Sequence, residues 1–236
     1  MKNIVVLTGA GMSAESGIAT FRDSGGLWAQ HRVEDVATPE GFRRNPQLVL
    51  DFYNKRRRES LSAKPNEGHL GLAEMEKEYN VQIITQNVDN LHEKAGSSSV
   101  IHLHGELMKA RSSINANKIY LLDPDNPDIK VDDVYEDGSP LRPHIVWFGE
   151  AVPLMEKAEE MVRQADALVV IGTSLNVYPA AGLINYVHDG TPIYIIDPNE
   201  VAVSRGKINF IRKGASKGVA ELKRLLKEEF NKKSEV

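Results

Sequence analysis

The sequence predicts an α/β protein with a Rossmann-like parallel sheet. Short, β-branched apolar runs alternate along the chain with longer helical stretches. Apolar runs of this length indicate strands buried on both faces, and their alternation with helices indicates a parallel sheet. The predicted strands are 4–7, 81–85, 100–103, 167–171 and 193–196, and the predicted helices are 45–61, 68–79, 153–164, 180–187 and 216–230.

Composition sets the limits on function. The 236 residues include 41% hydrophobic and 26% charged residues, a mix typical of a soluble globular protein. A net charge of −4 gives no basic footprint for nucleic acid, so no nucleic-acid partner is expected. No apolar run approaches the roughly 18 residues of a membrane span, and the N-terminal run is too short for a signal peptide. We therefore expect no membrane partner and a cytoplasmic location.

The chain has no cysteine, which excludes disulfides, thiolate nucleophiles and cysteine-based zinc sites. The segment 123–137 is also unusual, because it carries seven acidic residues, one lysine and prolines at 124 and 127. Its apolar residues do not repeat with the spacing of a helix or of a strand. We expect it to leave the main domain as an excursion.

A glycine-rich turn follows the first predicted strand. Residues 9–14, Gly-Ala-Gly-Met-Ser-Ala, match the dinucleotide pattern in which glycines let a pyrophosphate approach a helix N-terminus. The motif alone is weak, and an ordinary strand-to-helix turn is the alternative. A nicotinamide dehydrogenase would also need an acidic residue about 20 positions on, after a second strand. Glu34 and Asp35 have that spacing, but no predicted strand precedes them.

Polar clusters follow the strands farther along the chain. They are Thr-Gln-Asn-Val-Asp-Asn-Leu-His at 85–92, His-Leu-His-Gly at 102–105, Val-Trp-Phe-Gly-Glu at 146–150 and Gly-Thr-Ser-Leu at 172–175. The carboxyl ends of parallel strands form the ligand crevice of an open α/β sheet. We therefore expect these clusters to meet at one site.

These motifs, together with Gly-Ala-Gly at 9–11 and its continuation to Arg22, closely resemble the sirtuin family from Thr8 to about Gly218. The resemblance implies one catalytic domain over 1–236, with a Rossmann-like large part (about 1–22, 80–108 and 144–236) and a small module (about 23–79 and 109–143). It also implies an enzyme that binds NAD⁺ and acyl-lysine proteins or peptides between the two parts. Such an enzyme transfers the acyl group to ADP-ribose and releases nicotinamide and free lysine.

The resemblance also implies residue roles. Asn87 and Asp89 would hold the nicotinamide carboxamide, Gln86 would bind the adjacent ribose, and Phe21 would shield the sugar carbon. The full set implied for NAD is Gly9, Ala10, Gly11, Ser13, Glu15, Phe21, Arg22, Gln86, Asn87, Asp89, Gly172, Thr173, Ser174, Asp197 and Ala215. The set implied for the substrate peptide and its acyl group is Ala37, Tyr53, Arg56, Val146, Trp147, Phe148, Gly149 and Val177, with 146–150 as a strand-like stretch beside the peptide.

His104 is the predicted general base, with Asn87 as its catalytic partner. A ribose hydroxyl must lose a proton during acyl transfer, and an imidazole with a pKa near 6.5 suits that step. A histidine at a strand end is more often a structural hydrogen bonder, but its place between two family motifs favours the catalytic role. His102 would share its strand face, and His92 is interpreted as structural.

Tyr53 and Arg56 suggest the acyl group. Their i, i+3 spacing puts them on one helix face, and an arginine beside a tyrosine hydroxyl suits a carboxylate. The sirtuins that remove succinyl, malonyl and glutaryl groups carry the same Tyr-x-x-Arg and a small residue, here Ala37. The alternative is a solvated basic run over 55–58.

The sequence departs from the family at zinc. Most sirtuins hold zinc with two Cys-x-x-Cys pairs between the His-Gly and Phe-Gly-Glu motifs, whereas here Ser112 and Asn115 occupy the first pair's place. We predict no metal. A hard cation on Asp123, Asp125 and Asp128 is the less favoured alternative to a solvated loop.

Three other functions remain open at this point. They are a sirtuin-like protein that holds NAD⁺ or ADP-ribose without turnover, a protein ADP-ribosyltransferase and an NAD dehydrogenase. The acyl-lysine deacylase is preferred because His104, Asn87 and Asp89 are all present. The sequence carries no signal for an oligomeric state.

Overall fold

The computed structural model describes residues 1–20, 31–203 and 208–232. Its strands are β1 (Asn3–Thr8), β2 (Asn80–Thr85), β3 (Val100–His102), β4 (Gly105–Ser112), β5 (Ile119–Leu121), β6 (Leu141–Ile145), β7 (Ala167–Ile171), β8 (Ile193–Ile196) and β9 (Ile208–Ile211). Its helices are α1 (Gly11–Ala14), α2 (Val33–Val36), α3 (Pro39–Arg44), α4 (Pro46–Ser62), α5 (Glu67–Met75), α6 (Leu91–Lys94), α7 (Met155–Arg163) and α8 (Ala215–Lys232), with a 3₁₀ helix at Ala180–Tyr186.

Six parallel strands form the main sheet in the order β3-β2-β1-β7-β8-β9. Counted within the sheet, this is the doubly wound order 3-2-1-4-5-6 of the Rossmann fold. The predicted α/β class is thereby confirmed. The chain winds outward in both directions from β1 and β7, so a crevice opens beyond their carboxyl ends. Thr8 lies level with Thr85 on one side and with Ile171 on the other, which aligns the strand ends at that crevice.

Helices cover both faces of this sheet. One core packs α5 and α8 against β1, β2 and β8, and the other packs α7 and the 3₁₀ helix against β7 and its neighbours. All five residues of β7 are buried, as a continuous apolar run predicts. The helical stretch predicted over 180–187 is a 3₁₀ helix at 180–186 rather than an α-helix. Gly182 in its middle disfavours regular α-helix.

The smaller module contains an antiparallel sheet in the order β5-β4-β6, covered by α4. Asn45 caps α4 by accepting a hydrogen bond from the Leu48 N–H, and Pro46 occupies the first turn. The expected module limits of 23–79 included α5. In the structure Leu72 and Met75 of α5 lie in the core of the main sheet, so this helix packs with the large part.

The acidic segment is anchored to α4. Ile129 is buried beside Leu50, and its backbone N–H and C=O both bond to the Asn54 side chain, at 3.0 and 2.9 Å. Arg58 forms an ion pair with Asp128 at 2.5 Å. A solvated loop was expected; most of the segment is exposed, but Ile129 is buried. The sequence pattern hides this residue because it is a single apolar side chain among acidic ones.

A hydrogen-bonded cluster lies where the metal would be expected. The Ser112 and Ser139 hydroxyls are 2.7 Å apart, and both serines are buried. Ser112 Oγ also accepts from the N–H of Asn115 at 3.1 Å, and Asp137 accepts from the N–H of Ser139 at 3.0 Å. Within the described ranges no group of three His, Asp or Glu side chains could hold a metal ion. The cluster therefore joins the segment after β4, at Ser112, to the turn at 137–139 through hydroxyl and carboxylate groups.

Ser139→Ala is expected to lower the free energy of unfolding by about 1–3 kcal/mol, because Ser112 would keep a buried hydroxyl with one partner removed. Urea unfolding measures the change. Ser113→Ala is the matched control, since Ser113 bonds to Pro140 through its backbone. Equal losses for the two variants would contradict a structural role for the cluster. We also expect strong chelators to leave the wild-type transition unchanged.

Among residues 1–20, 31–203 and 208–232, no helix is both long and apolar enough to cross a membrane.

Candidate active site

A cavity of about 460 Å³ opens at the carboxyl ends of β1, β2, β7 and β8 and continues to the small module. Most predicted site residues line it. They are Gly9, Ala10, Gly11, Glu15, Ala37, Tyr53, Arg56, Gln86, Asn87, His104, Val146, Trp147, Phe148, Gly149, Gly172, Thr173, Ser174, Val177, Asp197 and Ala215. Phe21 and Arg22 lie outside the described residues. The carboxyl ends of the parallel strands thus place residues from five distant motifs in one cavity, as the sequence analysis expected.

The glycine turn lets two backbone segments touch. The Gly11 N–H donates to the Gly172 carbonyl at 2.9 Å, and a Cβ on Gly11 would lie 2.7 Å from the Gly172 Cα. No side chain fits there without moving the β7 loop. The turn therefore presents bare backbone to the cavity, as pyrophosphate binding requires.

Asn87 is held from behind by two polar residues. Its Nδ2 donates to Ser13 Oγ at 3.1 Å, and the Ser13 hydroxyl donates to Asp89 Oδ2 at 3.0 Å. Asn87 lines the cavity, whereas Ser13 and Asp89 lie behind it. Burial raises the pKa of Asp89, although the N–H of Leu91 and the Ser13 hydroxyl oppose the rise. This arrangement leaves the Asn87 amide oxygen as an acceptor toward the cavity.

His104 lines the cavity with its tautomer fixed by the backbone. Its Nδ1 lies 3.1 Å from the Gln86 carbonyl oxygen, which can only accept, so Nδ1 carries the hydrogen. Nε2 is then the basic nitrogen. Burial lowers the pKa of His104, while the bond to Gln86 opposes the shift. A neutral imidazole with a free Nε2 is the form that a general base needs at neutral pH.

His102 lies outside the cavity lining. Its Nε2 is 2.8 Å from Glu93, and its Nδ1 is 3.0 Å from the Asn87 carbonyl. Burial opposes protonation, but the bond to Glu93 raises the pKa of His102. The residue braces the loop that carries Asn87. The pKa values of these two strand-end histidines thus shift in opposite directions, because only His102 has a carboxylate neighbour.

His92 and His69 form a second buried pair behind the site, with ring centroids 4.8 Å apart. His92 Nε2 is 3.2 Å from the Thr8 hydroxyl, which donates to Thr85 at 2.8 Å. Burial lowers the pKa of His69 to about 4 and holds the pKa of His92 well below its usual value. The interpretation of His92 as structural agrees with this position.

The buried histidines predict acid sensitivity. A group whose folded pKa is depressed binds its proton more readily in the unfolded chain, so its stabilising contribution is present above pH 6.5 and is lost as pH falls toward 4. His69 alone should lower the free energy of unfolding by about 2 kcal/mol between pH 7.5 and 5.0. Urea unfolding at the two pH values measures this loss, with His69→Gln as the variant in which it should shrink. Equal pH dependence in both proteins would contradict the assignment.

One wall of the cavity carries Tyr53, Arg56 and Ala37. Tyr53 and Arg56 are both buried on α4, and each influences the pKa of the other. Burial lowers the pKa of Arg56, which Tyr53 and Asp89 oppose. A solvated basic run over 55–58 is therefore wrong for Arg56 and also for the buried Arg57, although Arg58 is exposed.

Residues 146–150 line the cavity but do not form the expected strand. β6 ends at Ile145, and Phe148 and Gly149 form a turn in which Gly149 has φ +89°. Within the protein, the N–H of Val146 donates to the His104 carbonyl, the N–H of Trp147 to the Glu150 carboxylate, and the N–H of Phe148 to the Ala37 carbonyl. Regular strand pairing through these N–H groups is thus unavailable to a peptide. Phe148 remains half exposed, and both it and the exposed Tyr178 line the cavity.

The far end of the cavity follows β8 and β9. Asp197 Oδ1 accepts from the Asn199 N–H at 2.8 Å, which is a turn contact that leaves Oδ2 for a ligand. Glu15 accepts from the Ser216 N–H at 3.1 Å and so joins the glycine turn to α8. Gln86 donates to Thr173 at 3.2 Å across the crevice.

The sequence analysis gave no role to several other cavity residues, among them Thr20, Ile145, Val152, Asn199, Glu200 and Lys213. Lys213 follows β9, which the sequence analysis did not predict as a strand. Because residues 208–211 include Asn209, they are not a continuous apolar run, and the sequence pattern did not point to Lys213. Glu150 was expected only as the last residue of the strand-like stretch 146–150.

The fold and the cavity define a Rossmann-type enzyme domain that binds a dinucleotide at the switch point of its sheet. Residues 9–179 match the model of the Sir2 family. The chain belongs to the Sir2 family, the sirtuins.

Similar proteins extend over most of the chain. An NAD-dependent protein deacylase of Bacteroides thetaiotaomicron is 60% identical over 230 residues, which cover 96% of this chain and 98% of that protein. An NAD-dependent protein deacylase of Helicobacter pylori is 56% identical over 198 residues, covering 84% of this chain and 85% of that protein. The structure of a Sir2 homolog in complex with NAD is 39% identical, covers 97% of this chain and 90% of its own, and has a TM-score of 0.85.

Proposed function

We propose that this chain is an NAD-dependent protein-lysine deacylase that prefers acyl groups ending in a carboxylate. Membership of the Sir2 family and the naming of its relatives as NAD-dependent protein deacylases support the general activity. The choice of acyl group rests on the wall formed by Tyr53, Arg56 and Ala37.

The cavity fits NAD on its own geometry. The bare backbone at Gly9 and Gly11 suits the pyrophosphate, and Asp197 at the far end suits the hydroxyls of the adenine-side ribose. Asn87 would hold the nicotinamide carboxamide through its amide oxygen, with Ser13 and Asp89 fixing its orientation. When bound, NAD⁺ supplies an activated sugar carbon whose bond to nicotinamide can break.

This chain's own residues would then orient the partners and move one proton. His104 Nε2 would accept the proton of a ribose hydroxyl, because Nδ1–H is engaged by Gln86 and burial keeps the ring neutral. Val146, Phe148 and Val177 would flank the lysine side chain as it enters, as their places on the cavity lining support. Correct orientation of two reactants is worth several kcal/mol of a barrier.

The acyl preference follows from the positive charge of Arg56 on the wall formed by Tyr53, Arg56 and Ala37. Arg56 is cationic and buried, and a buried guanidinium is stabilised by an anionic partner. Tyr53 lines the same wall and influences the pKa of Arg56, and the small Ala37 leaves space that a larger residue would fill. A succinyl, malonyl or glutaryl carboxylate meets all three conditions, whereas an acetyl group offers no charge.

The test compares matched peptides that differ only in the acyl group on one lysine. We expect kcat/KM for succinyl- or malonyl-lysine to be at least equal to that for acetyl-lysine, and the difference to lie mainly in KM, because the carboxylate is remote from the reacting carbon. Deacylated peptide measured by mass spectrometry gives the rates. No turnover of any acidic acyl-lysine, with robust turnover of acetyl-lysine, would reject the proposed preference.

A further inference from the structure

The indole of Trp147 makes a buried hydrogen bond to Tyr53, which with Arg56 and Ala37 forms the proposed acyl wall of the cavity. Its Nε1–H donates to the Tyr53 hydroxyl oxygen at 3.0 Å, and the two side chains belong to residues that are only 3% and 2% exposed. Ninety-four residues separate them in sequence. The bond therefore joins the turn after β6 to helix α4.

Trp147 is itself clamped by a charged network. Its backbone N–H donates to Glu150 at 2.8 Å, and Arg142 binds both carboxylate oxygens of Glu150 at 2.7 and 3.0 Å. The Arg142 guanidinium lies 3.4 Å from the centroid of the indole ring, and Phe42 packs on Trp147 at 5.3 Å. The Trp147 side chain is thus fixed by its backbone hydrogen bond and by contacts on its ring, so the indole N–H can point only toward Tyr53.

A tyrosine hydroxyl has one hydrogen to donate. Because the Tyr53 oxygen accepts from the indole, its own hydrogen must point away from Trp147. Tyr53 and Arg56 both line the cavity, so a ligand bound there can accept this hydrogen. Burial raises the pKa of Tyr53 to about 12, which keeps the hydroxyl a donor at neutral pH.

We propose that Trp147 is a positioning residue for acyl selectivity, whose indole N–H orients the Tyr53 hydroxyl as a donor to the distal carboxylate of the acyl group. This inference rests on the proposed acyl preference and adds a residue that acts through Tyr53. Phenylalanine at this position would fill the same region of the core but would supply no N–H. The polar edge of the indole is then the feature that matters, in addition to its apolar volume.

The test is Trp147→Phe in the full chain with NAD⁺ and matched succinyl- and acetyl-lysine peptides. The measured quantity is the selectivity ratio, the kcat/KM for succinyl-peptide divided by that for acetyl-peptide. We expect the ratio to fall about tenfold, the effect of one buried hydrogen bond to an ionic ligand, and to fall through KM. In a Tyr53→Phe background the same substitution should leave the ratio unchanged, because the hydroxyl it orients is gone.

Phe42→Leu is the control for packing. It loosens the contact with the indole ring and leaves the N–H in place, so we expect the selectivity ratio to stay at the wild-type value. An unchanged ratio in Trp147→Phe, or equal further losses with and without the Tyr53 hydroxyl, would overturn the proposal. If Arg56→Met lowers the ratio while Trp147→Phe does not, the acyl preference stands and the positioning role fails. If neither variant changes the ratio, the acyl wall itself is wrongly assigned.

Discussion

Replacement of His104 by alanine is expected to lower kcat for deacylation by about 10²-fold or more, while NAD⁺ binding stays nearly intact. The reason is the fixed tautomer, because the Gln86 carbonyl holds the hydrogen on Nδ1 and leaves Nε2 as the base. Initial rates at saturating NAD⁺ give kcat, and calorimetry gives the affinity for NAD⁺.

The control for His104→Ala is His188→Ala, an exposed histidine that does not line the cavity. It should retain full activity. The lowered pKa of His104 in the free enzyme also predicts that wild-type kcat/KM stays high down to pH 6.5 and declines only below it. Turnover in His104→Ala equal to that of the wild type would remove this residue from the mechanism.

Replacement of Arg56 by methionine is expected to lower the selectivity ratio for succinyl- over acetyl-peptide by about 10- to 100-fold. A charge-assisted hydrogen bond is worth about 1.5–3 kcal/mol, and each 1.4 kcal/mol is a factor of ten. The loss should appear as a raised KM for the succinyl-peptide. Steady-state kinetics on both peptides measure it.

Arg58→Met is the matched control for Arg56→Met. Arg58 lies on the same helix, is exposed and pairs with Asp128 instead of facing the cavity. Its loss should leave the selectivity ratio unchanged. If Arg56→Met lowers both activities by the same factor, the substitution disturbs folding or NAD⁺ binding, and the acyl assignment would have to be abandoned.

The sequence predicted the sheet and most of the cavity for a physical reason. Buried parallel strands are continuous apolar runs, so 167–171 and 193–196 were predicted to the residue. The polar residues that follow such runs meet at one edge of the sheet, which brought Asn87, His104 and Thr173 together. β9 was missed because Ile208–Ile211 includes an asparagine and is not a continuous apolar run.

Features that depend on contacts between distant segments were beyond the sequence pattern. The bond from Trp147 to Tyr53 and the place of Ser13 and Asp89 behind Asn87 follow from tertiary packing. The turn at 146–150 was expected to be strand-like because the family resemblance places this stretch beside the substrate peptide. Gly149 at positive φ and the Glu150 carboxylate turn the chain instead.

The measurement that tests the account most directly is identification of every product formed from NAD⁺ and a succinyl-lysine peptide. Mass spectrometry should find nicotinamide, free-lysine peptide and O-acyl-ADP-ribose in equal amounts, and none of the three should form with His104→Ala at more than about one hundredth of the wild-type rate. A peptide that gains ADP-ribose would indicate an ADP-ribosyltransferase. Bound NAD⁺ with no nicotinamide released from any acyl-peptide would contradict catalysis at this site.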